Sequence, residues 1–154
     1  MPYFVGEFEQ KVDDKNRLSI CSALRDLMNA ETDGTNFFLV LGKDGHLWLY
    51  PDRYFMKLMS RMKRSSLPTA EREKIDLWYA SARQVKPDAQ GRVVLPEKSM
   101  QRAVFDREST LVGNRDHIEI WPTAEHEQRM SGGWDVSMTD MLDSAADDLA
   151  DAHD

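Results

Sequence analysis

The chain writes one phrase twice. "DDKNRLSIC" runs from Asp13 to Cys21 and "DAQGRVVLP" from Asp88 to Pro96. Each has an Asp, an Arg four places later, and then an aliphatic–any–aliphatic triplet. A second phrase follows each in the same order: "HLWLYP" at His46–Pro51 and "HIEIWP" at His117–Pro122, with Gly42 and Gly113 each four residues ahead of the His. The offsets are 88 − 13 = 75 and 117 − 46 = 71, so copy two is shorter by four residues between its phrases. The deletion falls in the connection that holds "NAETDGTN" in copy one and is shorter around "VFDRES" in copy two. Two phrases in one order with one consistent deletion define an internal repeat.

Each copy reads as strand–strand–helix–strand–strand. An alternating strand carries Phe8, Gln10 and Val12, and its counterpart spans Gln84 to Pro87. A turn follows at "DDKN" or "DAQG", then the short strands "RLSI" and "RVVL". A helix start is expected at Ser22, as N-cap, and near Pro96. Hairpins close the copies, the first turning at Asp44-Gly45. Four short strands cannot bury a core alone. The pattern therefore predicts an α+β fold of two pseudo-symmetric ββαββ units that close one small β-barrel.

Helices are expected after each unit. Phe55, Leu58, Met59 and Met62 recur at helical spacing, with Lys57, Arg61 and Arg64 on another face. "TAEREKIDLWYASA" buries Ile75, Trp78, Tyr79 and Ala82, and "SSLP" separates the two helices. A further helix from about Thr123 stops at Gly132-Gly133. The expected organisation is a first unit at 6–53, connecting helices at 54–81, a second unit at 82–125, the end of a helix at 126–133 and an acidic tail at 134–154.

Charge is concentrated in that tail. The chain of 154 residues has 27 acids, 20 bases and a net charge of −7, but seven of the Asp lie from Asp135 onward with no base among them. The remaining 27 − 7 = 20 acids balance the 20 bases, so pooled charge is no argument against an anionic partner. Met138, Met141, Leu142, Ala145 and Leu149 follow helical spacing, which predicts a disordered or conditionally helical tail. The tail either solubilises the chain, or competes with an anionic ligand for basic loops, or sets partner choice. A single cysteine, Cys21, rules out an internal disulfide and a CxxC knuckle and suits a reducing cytoplasm. The N-terminal residues predict no signal peptide, and the apolar run Phe37–Leu41 is too short to span a membrane.

The repeated turn is the candidate site. Asp13 and Asp88 can cap the amides that follow them. Gly91 supplies a positive φ, and Asn16, at the same place in copy one, is the next best residue for it. Arg17 and Arg92 then leave the turns at fixed angles. They either pair with the Asp residues or form a twinned site for phosphates and guanine edges. The two Asp could in principle be an acid–base pair, but equivalent turns predict equivalent environments, which opposes the split pKa values such a pair needs. No P-loop, GxSxG or HExxH is present, and the four histidines form no tight ligand cluster, so neither an enzyme nor a metal or cofactor site is expected.

These tandem Asp–x–x–Gly–Arg phrases, each followed by an "IEIWP"-like hairpin, resemble the MraZ family over residues 4–130. The resemblance implies two SpoVT/AbrB-type units in a bacterial transcriptional regulator. It implies a homo-oligomeric ring on double-stranded DNA, at direct repeats upstream of the division and cell-wall gene cluster. It gives Lys15, Arg17, Arg25 and Arg92 as DNA-facing residues and Asp13, Asn16, Asp88 and Gly91 as turn-structuring ones. Neither a membrane nor a small-molecule substrate is implied, and the expected location is the cytoplasm, at the nucleoid. The chain departs from the pattern at Asn16 (for Gly), Cys21 (for Pro), Gln90 (for Lys) and Met100 (for a base). Copy one, with Lys15 and Arg25 beside Arg17, is expected to grip DNA harder. A non-catalytic, protein-binding oligomeric scaffold is the alternative.

Overall fold

The computed structural model describes residues 1–62, 67–132 and 137–152. Arg64, Ser65-Ser66 of the inter-helix loop, Gly133 and residues 134–136 of the tail lie outside them.

Copy one supplies β1 (Glu7–Lys11), β2 (Arg17–Ser19), α1 (Ser22–Arg25), β3 (Phe37–Leu41) and β4 (Leu47–Pro51). The connecting helices are α2 (Asp52–Ser60) and α3 (Thr69–Ser81). Copy two supplies β5 (Arg83–Val85), β6 (Arg92–Val94), α4 (Glu97–Arg102), β7 (Glu108–Asn114) and β8 (His117–Pro122). The mixed α+β class and the repeated element order follow the sequence pattern. One helix start differs from it by a residue, and the other falls at Pro96 as expected. Cys21, not Ser22, is the N-cap of α1, and Pro96 is the N-cap of α4, with no side-chain cap bond at either.

The strands do not close one barrel. Six of them form an antiparallel sheet in the order β1-β7-β8-β4-β3-β5, and β2 pairs with β6 in a separate two-stranded ribbon. The edge strands β1 and β5 do not pair with each other. β2 and β6, the strands that would have to join β1 to β5, pair only with each other. They cover the inner face of the sheet instead.

The copies interlock. The first strand of copy one pairs with the hairpin of copy two (β1 with β7), and the first strand of copy two pairs with the hairpin of copy one (β5 with β3). The ribbon β2-β6 and the central pair β4-β8 also join opposite copies. Neither copy can satisfy its own ladder, so the repeat folds as a unit.

Period-two alternation divides the residues of the sheet. Leu39, Leu49, Leu111, Ile118 and Ile120 face inward and join Leu18, Ile20, Val93 and Leu95 in one buried cluster. Cys21 packs at the margin of that cluster as a half-buried apolar filler. On the outer face Val40, Tyr50 and Phe55 are buried with Phe38, Leu58, Met59 and Trp78 around them. Phe38 stacks on Phe55 at 4.7 Å, and the Trp78 indole N–H donates to the Leu41 carbonyl at 2.9 Å. Met62 and Tyr79, expected inside, are exposed, and α3 has no fully buried residue. One outer sheet face is enough for Phe55 and Trp78 but leaves the far sides of both helices in water.

Residues Met1–Thr123 and Ala124–Asp154 form two separate compact units. In the second, α5 (Thr123–Gly132) precedes α6 (Ser137–Asp151). The tail is thus helical here, with Met138, Met141, Leu142 and Leu149 exposed along it. No described helix is long and apolar enough to cross a membrane.

Candidate nucleic-acid interface

The two turns share one hydrogen-bond design. In copy one, Asp13 Oδ1 accepts from the amides of Lys15 (2.9 Å) and Arg17 (2.8 Å), and Oδ2 accepts from Arg17 Nε at 2.6 Å. In copy two, Asp88 Oδ1 accepts from Gln90 (2.9 Å) and Arg92 (3.0 Å), and Oδ2 from Arg92 Nε at 2.9 Å. The backbone repeats as well: Asn16 N–H donates to Asp13 O at 3.0 Å and Gly91 N–H to Asp88 O at 2.9 Å. Asn16 sits at φ 63° and Gly91 at φ 80°, the left-handed conformation read from sequence. The Arg amide is the chief reason that each Asp carboxyl lies below its ordinary 3.8, and the other bonds add to it.

The arginines pair with the Asp residues and still reach solvent. Each Nε is tied to its Asp, yet each side chain keeps 31% of its surface exposed. The Nη nitrogens of Arg17 and Arg92 make no hydrogen bond among the described residues. The ion pair aims the fork rather than consuming it.

The register of the ribbon places both arginines on one face. Arg17 stands opposite Val94, Leu18 opposite Val93 and Ser19 opposite Arg92. Leu18 and Val93 are fully buried, so Arg17, Ser19, Arg92 and Val94 look outward. Arg17 and Arg92 are diagonal neighbours there, roughly 7–8 Å apart at the backbone. Lys15 is exposed at the apex of the first turn.

Arg25 sits elsewhere than expected. Its Nε donates to Ile20 O at 2.7 Å, and its guanidinium lies over the turn of copy two. A Cβ added to Gly91 would come within 2.8–2.9 Å of the Cζ, Nε and Nη2 of Arg25. Gly91 is thus favoured by its φ, and a side chain there would also have to push the Arg25 guanidinium aside. The sequence grouped Arg25 with Arg17; the fold groups it with Arg92, because α1 crosses to the partner turn.

Sequence reasoning missed Arg107. From the loop before β7, its Nη1 donates to Asp13 O at 2.7 Å and its Nη2 to Asn16 Oδ1 at 2.9 Å. The signal was the mismatch itself: Asn in place of Gly adds a side-chain acceptor, and an acceptor implies a donor.

The outer sheet face carries a different cluster. His117 Nε2 bonds Glu119 Oε2 at 2.8 Å, and its Nδ1 bonds Asp116 Oδ1 at 2.8 Å. Trp121 Nε1 and Asn114 Nδ2 also donate to Glu119, and the Tyr54 hydroxyl donates to Asp116 at 2.7 Å. Burial works against both charges in the pair. The hydrogen bonds outweigh it, raising His117 above 6.5 and holding Glu119 at about 2. His46, the equivalent of His117, stacks on Trp121 at 3.8 Å. Among the described residues no group of three or more His, Cys, Asp or Glu is arranged to hold a metal.

Comparison with known proteins converges on one family. A family model described as "MraZ protein, putative antitoxin-like" matches the chain twice in tandem, at residues 3–77 and 78–147. The Transcriptional regulator MraZ of Lactiplantibacillus plantarum is 31% identical over 147 residues, covering 94% of this chain and 99% of the relative. That of Pediococcus pentosaceus is 34% identical over 128 residues (81% and 85%), and that of Clostridium acetobutylicum 33% over 119 (77% and 80%).

Proposed function

The chain belongs to the MraZ family, and on that premise we propose that it is a sequence-specific DNA-binding transcriptional regulator. It acts as a head-to-tail ring on tandem direct repeats upstream of the division and cell-wall gene cluster, its own gene included. Its place is the cytoplasm, at the nucleoid, and it needs neither a cofactor nor a small-molecule substrate. It is not an enzyme.

One observation carries the reading: two arginines, fixed by equivalent Asp contacts, lie diagonally across the outward face of one ribbon. Their backbone separation of roughly 7–8 Å is close to two nucleotide steps of about 3.4 Å along one strand. Arg17 and Arg92 reach phosphates or guanine edges through Nη, and Lys15 and Arg25 add phosphate contacts. Four cations per protomer bind weakly, since affinity follows the number of phosphates neutralised. A ring repairs this by bringing several protomers onto one duplex. Like subunits joined head to tail repeat their contacts in one direction, which suits direct repeats rather than a palindrome.

Fluorescence anisotropy tests this with a labelled duplex from upstream of the chain's own gene and a shuffled duplex of equal length. The upstream duplex should bind at least tenfold tighter, a threshold well below the roughly thousandfold or greater preference typical of specific binding. Equal affinity for the two sequences would remove sequence-specific regulation. No binding at low salt by an intact ring would favour the protein-binding scaffold.

A further inference from the structure

We propose that Arg107 is a positioning residue that holds the turn of copy one from across the pseudo-twofold axis, and that Asn16 stands where the repeat calls for Gly because Arg107 needs its side-chain oxygen. The proposal rests on the reading of the two turns as the DNA-facing surface.

Among the described residues, the hydrogen bonds that fix each turn from outside come from the opposite copy. Leu95 N–H, of copy two, donates to Asn16 O at 2.8 Å, and Ile20 N–H, of copy one, donates to Gly91 O at 2.9 Å. One arginine is then added on each side. Arg107 of copy two grips Asp13 O and Asn16 Oδ1, and Arg25 of copy one lies flat over Gly91. The two braces are not interchangeable. Arg25 rests against a bare backbone, which Gly91 offers. Arg107 needs an acceptor that points outward, which Asn16 provides and Gly would not. The mismatch of the repeat is thus matched, turn by turn, to the arginine that covers each turn.

Arg107 is exposed, but both of its Nη groups are engaged within the chain. Its positive end is committed to the turn, so it acts through Arg17 rather than on a phosphate. With both braces in place, Arg17 and Arg92 are presented as one rigid pair, and the ordering cost of binding is met before DNA arrives.

The full-length chain carrying Arg107→Ala, Asn16→Gly, both changes, or Arg107→Lys tests this in two measurements. In anisotropy titrations with the upstream duplex, Arg107→Ala should weaken binding about tenfold, the scale of a lost charged hydrogen bond. Asn16→Gly should weaken it less, because the bond to Asp13 O survives. The double variant should be no weaker than Arg107→Ala, and Arg107→Lys should recover part of the loss. The slope of log K against log salt should not change. A slope shallower by about 0.9 would make Arg107 a phosphate contact, and additive losses or no loss would also overturn the proposal. The second measurement needs no DNA. Amide exchange at Lys15 and Asn16 should accelerate in Arg107→Ala while the core strands keep their protection. Unchanged exchange there would overturn the brace by itself. Failure of the wild type to bind the duplex would instead count against the DNA reading.

Discussion

Trp48 and Glu119 hold equivalent places in the two copies and pair directly across the pseudo-twofold axis between β4 and β8. Here the repeat breaks its symmetry, an aromatic ring facing a carboxylate. Trp48 stacks on His117 at 4.0 Å, and Glu119 accepts a hydrogen bond from the same ring at 2.8 Å. One buried imidazole is thus clasped between an aromatic face and a carboxylate. Glu119→Gln keeps the shape but removes the charge that favours imidazolium. In an NMR titration the His117 pKa should fall in the variant, since burial then opposes protonation with only Asp116 to answer it. An unmoved pKa would show that Asp116 alone sets the charge.

The same pair shapes stability against pH. Glu119 has a folded pKa of about 2 against an ordinary 4.5, so its contribution is full above 4.5 and is lost as pH falls toward 2. The pKa of His117 is raised, so its contribution is full below 6.5 and is lost as pH rises through the folded value. The pair therefore stabilises most between about 4.5 and 6.5. Urea midpoints measured across pH 3 to 9 should show wild type losing ground to Glu119→Gln on both sides of that window. Parallel curves would remove the ion pair from the balance.

Gly91→Ala meets two obstacles. A left-handed φ costs a non-Gly residue on the order of 1–3 kcal/mol, and the new methyl would collide with the Arg25 guanidinium. The thermal midpoint should drop by several degrees, the scale expected of about 1–3 kcal/mol in a small domain. The added variant Arg25→Ala should recover the steric part but not the conformational part. Full recovery would mean that the φ of Gly91 carries no cost.

Much of this was legible in the sequence because a repeat doubles every local signal. Asp13 and Asp88, Asn16 and Gly91 could be read as turn residues from side-chain chemistry alone, and the structure places them so. What could not be read was which copy each long side chain would serve. Arg25 lies eight residues after Arg17 in sequence, yet it covers Gly91, because α1 delivers it across the axis. Arg107 lies 91 residues from Asn16, and only the β1-β7 pairing brings its loop to the first turn. The barrel failed for a related reason: local alternation finds strands but does not say whether three residues at β2 will join a large sheet or form a ribbon.

That crossing changes what the arginines should do. With Arg25 counted beside Arg17, copy one holds three cations against one, and Arg17→Ala should hurt binding more than Arg92→Ala. With Arg25 over Gly91, each turn holds its arginine and one companion, Lys15 in copy one and Arg25 in copy two. The two arginines are also equally exposed, at 31% each, and equally anchored by Asp. Arg17→Ala and Arg92→Ala should therefore weaken binding to the upstream duplex by similar factors, within about twofold. Each should make the salt slope shallower by about 0.9, the share of one phosphate. Anisotropy titrations at four salt concentrations measure both quantities. A markedly larger loss at Arg17 would return the weight to copy one and make Lys15 the stronger companion. Loss of affinity with an unchanged slope would point instead to base-edge contact, whose cost depends on the sequence bound and not on the ions released.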